Sequence, residues 1–267
     1  MELPLFQVDA FTSRVFAGNP AAVCILKGWL PDAVLQAIAA ENNLSETAFC
    51  VARGDEYQIR WMTPVSEVDL CGHATLASAH VILTRLQPER QEVRFTSQSG
   101  PLLVRRDGER LVMDFPSWPA EPCAAPEGLA LALGRAPHQV LSARDYLAVY
   151  QSEEEIRALT PRMAELARLD RGHGVIVTAP GTRSDFVSRF FAPSLGVPED
   201  PVTGSAHCTL TPYWARRLNR SKLHAFQVSH RGGELWCELG GERVLISGHT
   251  ATYLEGTIFV PEALPAP

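Results

Sequence analysis

The sequence predicts an α+β protein built from two copies of one lobe. Three observations carry that expectation: short strand-like runs interleaved with a few helices, a proline-rich stretch near mid-chain, and segments that recur at a nearly constant offset. The strand candidates in the first half are Phe6 to Phe11, Ala22 to Leu26, Thr47 to Val51 and Tyr57 to Trp61. Each is rich in β-branched or aromatic residues and is bounded by Gly, Pro, Asn or Asp, which favour turns. Pro31-Asp32 opens a helix, with Val34, Leu35, Ile38 and Ala39 spaced to share one apolar face. Ser152-Glu153-Glu154-Glu155 has the spacing of a capping box and opens another.

The stretch from Phe115 to Pro122, with Pro126 soon after, reads as a linker and places lobes at 1–117 and 118–267. A return of the final strand to the N-terminal lobe is allowed by this division. Across the linker, Arg60-Trp61-Met62-Thr63-Pro64 matches Arg189-Phe190-Phe191-Ala192-Pro193. Each is followed by a valine (Val68, Val197), then by a loop ending Gly-His-Ala or Gly-Ser-Ala, then by a helix-like stretch, Thr75 to Leu86 or His207 to Leu218. A second pair, Gly100 to Val104 with Glu109 to Val112 and Gly233 to Cys237 with Glu242 to Leu245, repeats the order at a similar offset. Two ordered matches indicate a duplicated lobe.

Composition removes several classes of function. The chain has 267 residues, 46% hydrophobic and 20% charged, with a formal net charge of -6. That is a globular composition, and the absence of any Lys/Arg run makes nucleic acid an unexpected partner. No signal-peptide pattern opens the chain and no apolar stretch approaches the roughly 20 residues of a membrane span, so a cytoplasmic protein without membrane contact is expected. The six cysteines are scattered without a Cys-x-x-Cys pair and read as reduced thiols. Cys71, His73, His207 and Cys208 have ligand chemistry suited to zinc but not the spacing, since adjacent His207 and Cys208 cannot both face one ion from a helix. Neither a G-x-G-x-x-G nor a Walker A pattern is present, so no nucleotide cofactor has a motif. His80 and Trp214, on the helices after the loops, read as packing residues.

The two loops, Cys71-Gly72-His73-Ala74 and Thr203-Gly204-Ser205-Ala206, are the candidate half-sites. A strand, a glycine loop and a helix start present amides without intrahelical acceptors in a partly positive field, which suits a carboxylate. Taken singly, each glycine is accounted for by its turn; the matched pair favours a site. Glu46 precedes an apolar strand, where burial would favour the neutral acid and let one carboxyl both take and return a proton. By position alone a Glu before a strand is ordinarily solvated or capping. His73 at a helix start is expected to be neutral, because the helix dipole lowers its proton affinity.

Phe16-Ala17-Gly18-Asn19-Pro20, Ser45 to Phe49, Cys71 to Thr75 and Glu199 to Ala206 resemble the PhzF family of phenazine-biosynthesis-type isomerases, in order and over essentially the whole chain. The resemblance implies a diaminopimelate-epimerase-like fold: two pseudo-symmetric lobes, each a curled, mostly antiparallel sheet around a central helix, with the active site between them. It implies a cofactor-independent isomerase without a metal, acting on a small carboxylate, and a homodimer. It makes Glu46 the proton shuttle, with His73 and Asp200 orienting and polarising the substrate. Gly72, Gly204, Ser205, Ser45 and Asn19 become candidate substrate contacts. The chain departs from the epimerase pattern in one respect: those enzymes carry Cys-Gly in both loops, whereas Thr203 stands here opposite Cys71. A threonine hydroxyl is too weak an acid or base to pair with a thiolate, which disfavours two-thiol racemisation. A cysteine-dependent epimerase using Cys71 and a non-catalytic small-acid-binding protein remain as alternatives.

Overall fold

A computed structural model describes residues 1–169 and 174–261. The chain folds as two units, Met1–Asp114 with the segment from Ser247, and Phe115–Ile246. In chain order the first unit holds β1 (Glu2–Ala10), β2 (Asn19–Leu26), α1 (Asp32–Asn42), β3 (Glu46–Arg53), β4 (Glu56–Met62), β5 (Glu67–Val68), α2 (Gly72–Val81), β6 (Glu92–Ser97) and β7 (Gly100–Asp107), and most of β8 (Arg110–Pro116). The second holds β9 (Glu121–Pro122), α3 (Leu129–Leu133), β10 (Gln139–Ser142), β11 (Tyr146–Val149), α4 (Glu153–Ala158), α5 (Met163–Leu166), β12 (Val175–Pro180), β13 (Phe186–Ala192), β14 (Val197–Asp200), α6 (His207–Leu218), β15 (Lys222–Gln227) and β16 (Gly233–Gly240), and most of β17 (Arg243–Gly248). The last strand, β18 (Thr250–Phe259), pairs antiparallel with β1.

The duplication is written in the strand pairings. In the first unit β1–β2 is antiparallel, β2–β3 parallel, β3–β4 and β4–β5 antiparallel, β4–β6 parallel and β6–β7 antiparallel. The second unit repeats that series: β10–β11 antiparallel, β11–β12 parallel, β12–β13 and β13–β14 antiparallel, β13–β15 parallel and β15–β16 antiparallel. The helices fall at matching points too. α1, and later α4 and α5, fill the first parallel crossover; α2 and α6 fill the second.

In the first unit, α2 and α1 cover opposite faces of the sheet. β3 is therefore buried without alternation from Thr47 to Val51, the pattern of a strand covered on both sides. α1 buries Val34, Leu35, Ile38 and Ala39, the four residues its spacing predicts, against Leu5, Cys24, Phe49 and Val51. Each such fully buried branched side chain contributes about 1.5–3 kcal/mol. α2 is buried on nearly every side. Its small Gly, Ala and Ser residues let β1, β2, β3, β7 and β18 approach it, as a central helix requires. Its end differs from the expected regular helix to Leu86, because Ile82–Leu86 widens into a π-turn.

In the second unit α6 runs His207–Leu218 as predicted, with Pro212 inside it. Proline cannot donate to the carbonyl four residues back; the Cys208 carbonyl instead accepts from the Trp118 N–H at 2.9 Å. Trp214 lies fully buried, stacked on Phe186 with ring centroids 5.6 Å apart and donating to Thr178 Oγ1. Ser152 caps α4 by accepting from the Glu155 N–H. The reciprocal half of the predicted capping box falls one residue earlier, since Glu155 accepts from Gln151 N–H. All six cysteines are free, and only Cys123 is exposed.

His80 ties α2 to β18 through Thr252 Oγ1 at Nε2 and Thr250 Oγ1 at Nδ1, both at 2.8 Å. Burial, aided by Arg85 and Arg106, lowers its pKa to about 4. The unfolded chain binds this proton near pH 6.5 and the folded chain does not, so the contribution of neutral His80 is complete above 6.5 and is lost as pH falls towards 4. The stability difference between the native protein and His80→Gln, read from urea midpoints, is expected to shrink by about 1–2 kcal/mol between pH 7 and pH 5. A pH-independent difference would show that His80 is not held neutral by the fold.

Candidate active site

The parallel pairing of β2 with β3, in register Ala21↔Glu46, brings Asn19 and Glu46 to the same end of adjacent strands. α2 begins beside them with Cys71 as its N-cap. Glu46 Oε2 lies 3.1 Å from His73 Nε2, with Glu46 only 14% and His73 4% exposed at their side chains. Asn19 Nδ2 lies 3.0 Å from His73 Nδ1, and Cys71 Sγ lies 3.5 Å from the same nitrogen. Three of the predicted site residues, Asn19, Glu46 and His73, thus form one buried cluster, joined by Cys71. Glu46 Oε2 is itself buried, and among the described residues no donor is aligned for a hydrogen bond to it. Its contact with His73 is one of charge and proximity.

The electrostatics reverse one expectation. Burial works against a charged His73, but the Cys71 sulfur, as an acceptor 3.5 Å from Nδ1, and the charge of the Glu46 carboxylate favour it, and its pKa is raised well above the ordinary 6.5. The helix dipole that suggests a neutral ring is the weaker influence, because a carboxylate 3.1 Å away in a dry setting outweighs a partial charge. The Cys71 pKa rises as well, for its own reasons: burial first, and then the Glu46 charge, push its thiol up to about 11. At neutral pH it is a thiol, not a thiolate.

The second loop is held by a residue that no sequence motif singles out. Gln227, buried on β15, donates from Nε2 to the Asp200 carbonyl and to Thr203 Oγ1 and accepts from the Thr203 N–H. Thr203 donates its hydroxyl to Asp200 Oδ2 at 2.6 Å. The hydroxyl that replaces the epimerase thiol is thereby committed to orienting a carboxylate. Its periodic place on a strand gives Gln227 the look of packing; only the parallel β13–β15 pairing puts it under the loop. Gly204 is buried and Ser205 half-buried in the turn that leads into α6. Gly72 is the first residue of α2, and Ser45 is half-buried in the bend before β3.

Matched contacts brace both loops. Thr75 Oγ1 donates to the Cys71 carbonyl at 2.6 Å, and His207 Nδ1, at the equivalent place, lies 2.9 Å from the Thr203 carbonyl. Arg60 grips Glu67 through two bonds of 2.7 Å, and Arg189 grips Glu199 through bonds of 2.8 and 2.9 Å. These bidentate pairs fasten each strand to the short strand that leads into its loop. The repeat's arginines, legible as markers of duplication, are these clamps.

Among the described residues, Glu46, Cys71 and His73 are the group whose potential ligand atoms lie close enough to hold a metal ion, all within 4.8 Å of one another. The donor types would suit zinc. The group includes Glu46 and not the His207 and Cys208 weighed from the sequence.

Replacing Gln227 by Leu leaves the buried Thr203 amide and the Asp200 carbonyl without their partners. A loss of about 2–4 kcal/mol in unfolding free energy is expected, from a cost of about 1–3 kcal/mol per orphaned group; unchanged stability would contradict the brace. With thiol reagents at pH 8, the folded protein is expected to lose one cysteine quickly, Cys123, and to protect Cys71.

Comparison with known proteins follows the same lines. A family model described as phenazine biosynthesis-like protein matches residues 8–256. A Pseudomonas aeruginosa protein named an uncharacterized isomerase is 56% identical over 258 residues, covering 97% of this chain and 99% of that one. The crystal structure of a PhzF-family phenazine biosynthesis protein of Enterococcus faecalis is similar with a TM-score of 0.94 and 48% identity, covering 97% of this chain and all of that one. A hydroxyproline epimerase of Agrobacterium vitis, 10% identical over 96% of this chain and 92% of its own, shares the fold alone, with a TM-score of 0.60. The α+β, epimerase-like architecture expected from the sequence is thus the one this chain has, and the chain belongs to the phenazine biosynthesis-like (PhzC-PhzF) family.

Proposed function

We propose that the protein is a cofactor-independent isomerase that moves a proton within a small, cyclic amino or hydroxy carboxylate, with Glu46 as the single acid/base. The observation that carries this reading is the placement of Glu46: a largely buried carboxylate whose Oε2 meets His73 Nε2 at 3.1 Å. A carboxylate so placed can take a proton from one carbon of a conjugated ring and return it to another. The step balances without a co-reactant: one C–H bond breaks, another forms, and the π-electrons shift between them. The amide of Gly72, at the start of α2, is assigned to the carboxylate.

The chemistry of the cysteine favours this reading over a thiol-based epimerase. A base must be deprotonated to act, and Cys71 is pushed up to about 11; Thr203 offers no second thiol. The names of the relatives support an isomerase, and the family supports its type.

Dihydro-3-hydroxyanthranilate and related cyclic amino acids are the first substrates to assay. With a substrate in hand, Glu46→Gln is expected to lower kcat by about 10²–10⁴-fold, the range of a lost general acid/base. Cys71→Ser is expected to stay within about tenfold of the native rate. Full activity in Glu46→Gln would remove the shuttle, and loss confined to Cys71→Ser would favour the epimerase. Saturable binding without any exchange of substrate hydrogen would favour a non-catalytic acid-binding protein.

A further inference from the structure

Asn19 is fully buried at the first position of β2, and its amide faces His73 Nδ1 at 3.0 Å. The residue before it fixes the approach. Gly18 has a φ of +65°, and a Cβ there would lie 2.2 Å from the Ala10 carbonyl oxygen, so only glycine can make the turn. The geometry points to Asn19 as the positioning residue for His73, holding its ring so that Nε2 lies on the Glu46 side, 3.1 Å from Oε2. This inference rests on the proposed Glu46 shuttle and deepens it, by naming what keeps the shuttle's partner in place.

Donors and acceptors decide the ring's state. With Nδ2–H directed at the ring, Nδ1 must offer its lone pair, and the single hydrogen of a neutral imidazole is driven to Nε2, opposite Glu46 Oε2. When the ring is doubly protonated, Nδ1 becomes a donor. Rotation of the amide about its Cβ–Cγ bond then presents Oδ1 in the same place. An asparagine therefore serves both charge states of His73 without moving its backbone. An aspartate, which can only accept, would suit only a ring with a hydrogen on Nδ1, and a leucine would suit neither state. Cys71 Sγ, 3.5 Å from Nδ1, is the softer and more distant partner. Glu46 and Cys71 are the titratable groups of the described residues that bear on this ring.

The test needs no substrate, so its failure is separable from a failure of the shuttle. The full-length protein labelled with ¹⁵N-histidine is titrated by NMR, with His73→Gln used to assign the His73 signals. In the native protein the neutral ring is expected to be the Nε2–H tautomer. Asn19→Leu is expected to shift the tautomer ratio towards Nδ1–H by about 2–10-fold, the worth of one hydrogen bond. Asn19→Asp is expected to move the His73 midpoint upward by about 1–3 pH units. His80 signals at their native positions certify the fold of each variant. A native neutral ring protonated on Nδ1 overturns the inference whatever the variants do. So do variants that fold yet leave both ratio and midpoint unchanged. Once a substrate is known, Asn19→Leu is expected to lower kcat with KM nearly constant; a rise in KM alone would make Asn19 a substrate contact instead.

Discussion

A buried imidazole has two nitrogens, and a dry interior leaves neither of them a water to turn to. In the first unit that constraint is met by two neighbouring strands. β2 supplies Asn19 to one nitrogen of His73 and β3 supplies Glu46 to the other. The arrangement depends on the parallel register between those strands and on α2 starting at the same end. It depends equally on Gly18, which turns the chain where no other residue fits. The central helix, the strands wrapped on it and the loop geometry thus converge on the partners of one ring.

The duplicated lobe shows which parts of such a device are scaffold and which are chemistry. Both copies keep the strand series, the arginine–glutamate clamp and a side chain reaching back to the carbonyl four residues before it. The reactive positions have diverged. Cys71 is matched by Thr203 and His73 by Ser205, while Glu46 has no comparable counterpart in the repeat matches. A symmetric thiol pair would require a cysteine in each loop; the two loops have one thiol, Cys71, raised by burial, and one hydroxyl, that of Thr203, bound to Asp200. Under the proposed function, acid/base work falls to the carboxylate of the first unit. Because Glu46 and His73 share a small buried volume, the Glu46 carboxylate favours the charged form of His73.

Much of this is legible in the residues. The spacing of Val34, Leu35, Ile38 and Ala39 marks the buried face of α1, and the extent of α6 follows from its sequence despite Pro212. The recurrence around Arg60 and Arg189 exposes the duplication without any knowledge of pairing. What a sequence does not carry is contact across long separations. Nothing in the spacing of Asn19, Glu46 and His73 says that they meet, and Gln227 is separated from Thr203 by an entire helix. The charge on His73 escapes for the same reason: a dipole can be inferred from a helix start, whereas a carboxylate on a neighbouring strand cannot. Local irregularities such as the π-turn at Ile82–Leu86 arise from packing around α2 and leave no mark in composition.

A single carboxyl that takes a proton and gives it back leaves a signature that a two-base exchange does not. With a turnover substrate deuterated at the carbon that loses its hydrogen, and ordinary water as solvent, one shuttle in a sheltered site carries part of the label into the product. Deuterium at the new carbon, well above the solvent background, is the result a Glu46 shuttle predicts. Complete washout of the label in the first turnover would contradict it, because that result requires either a second base or a site open to exchange with water.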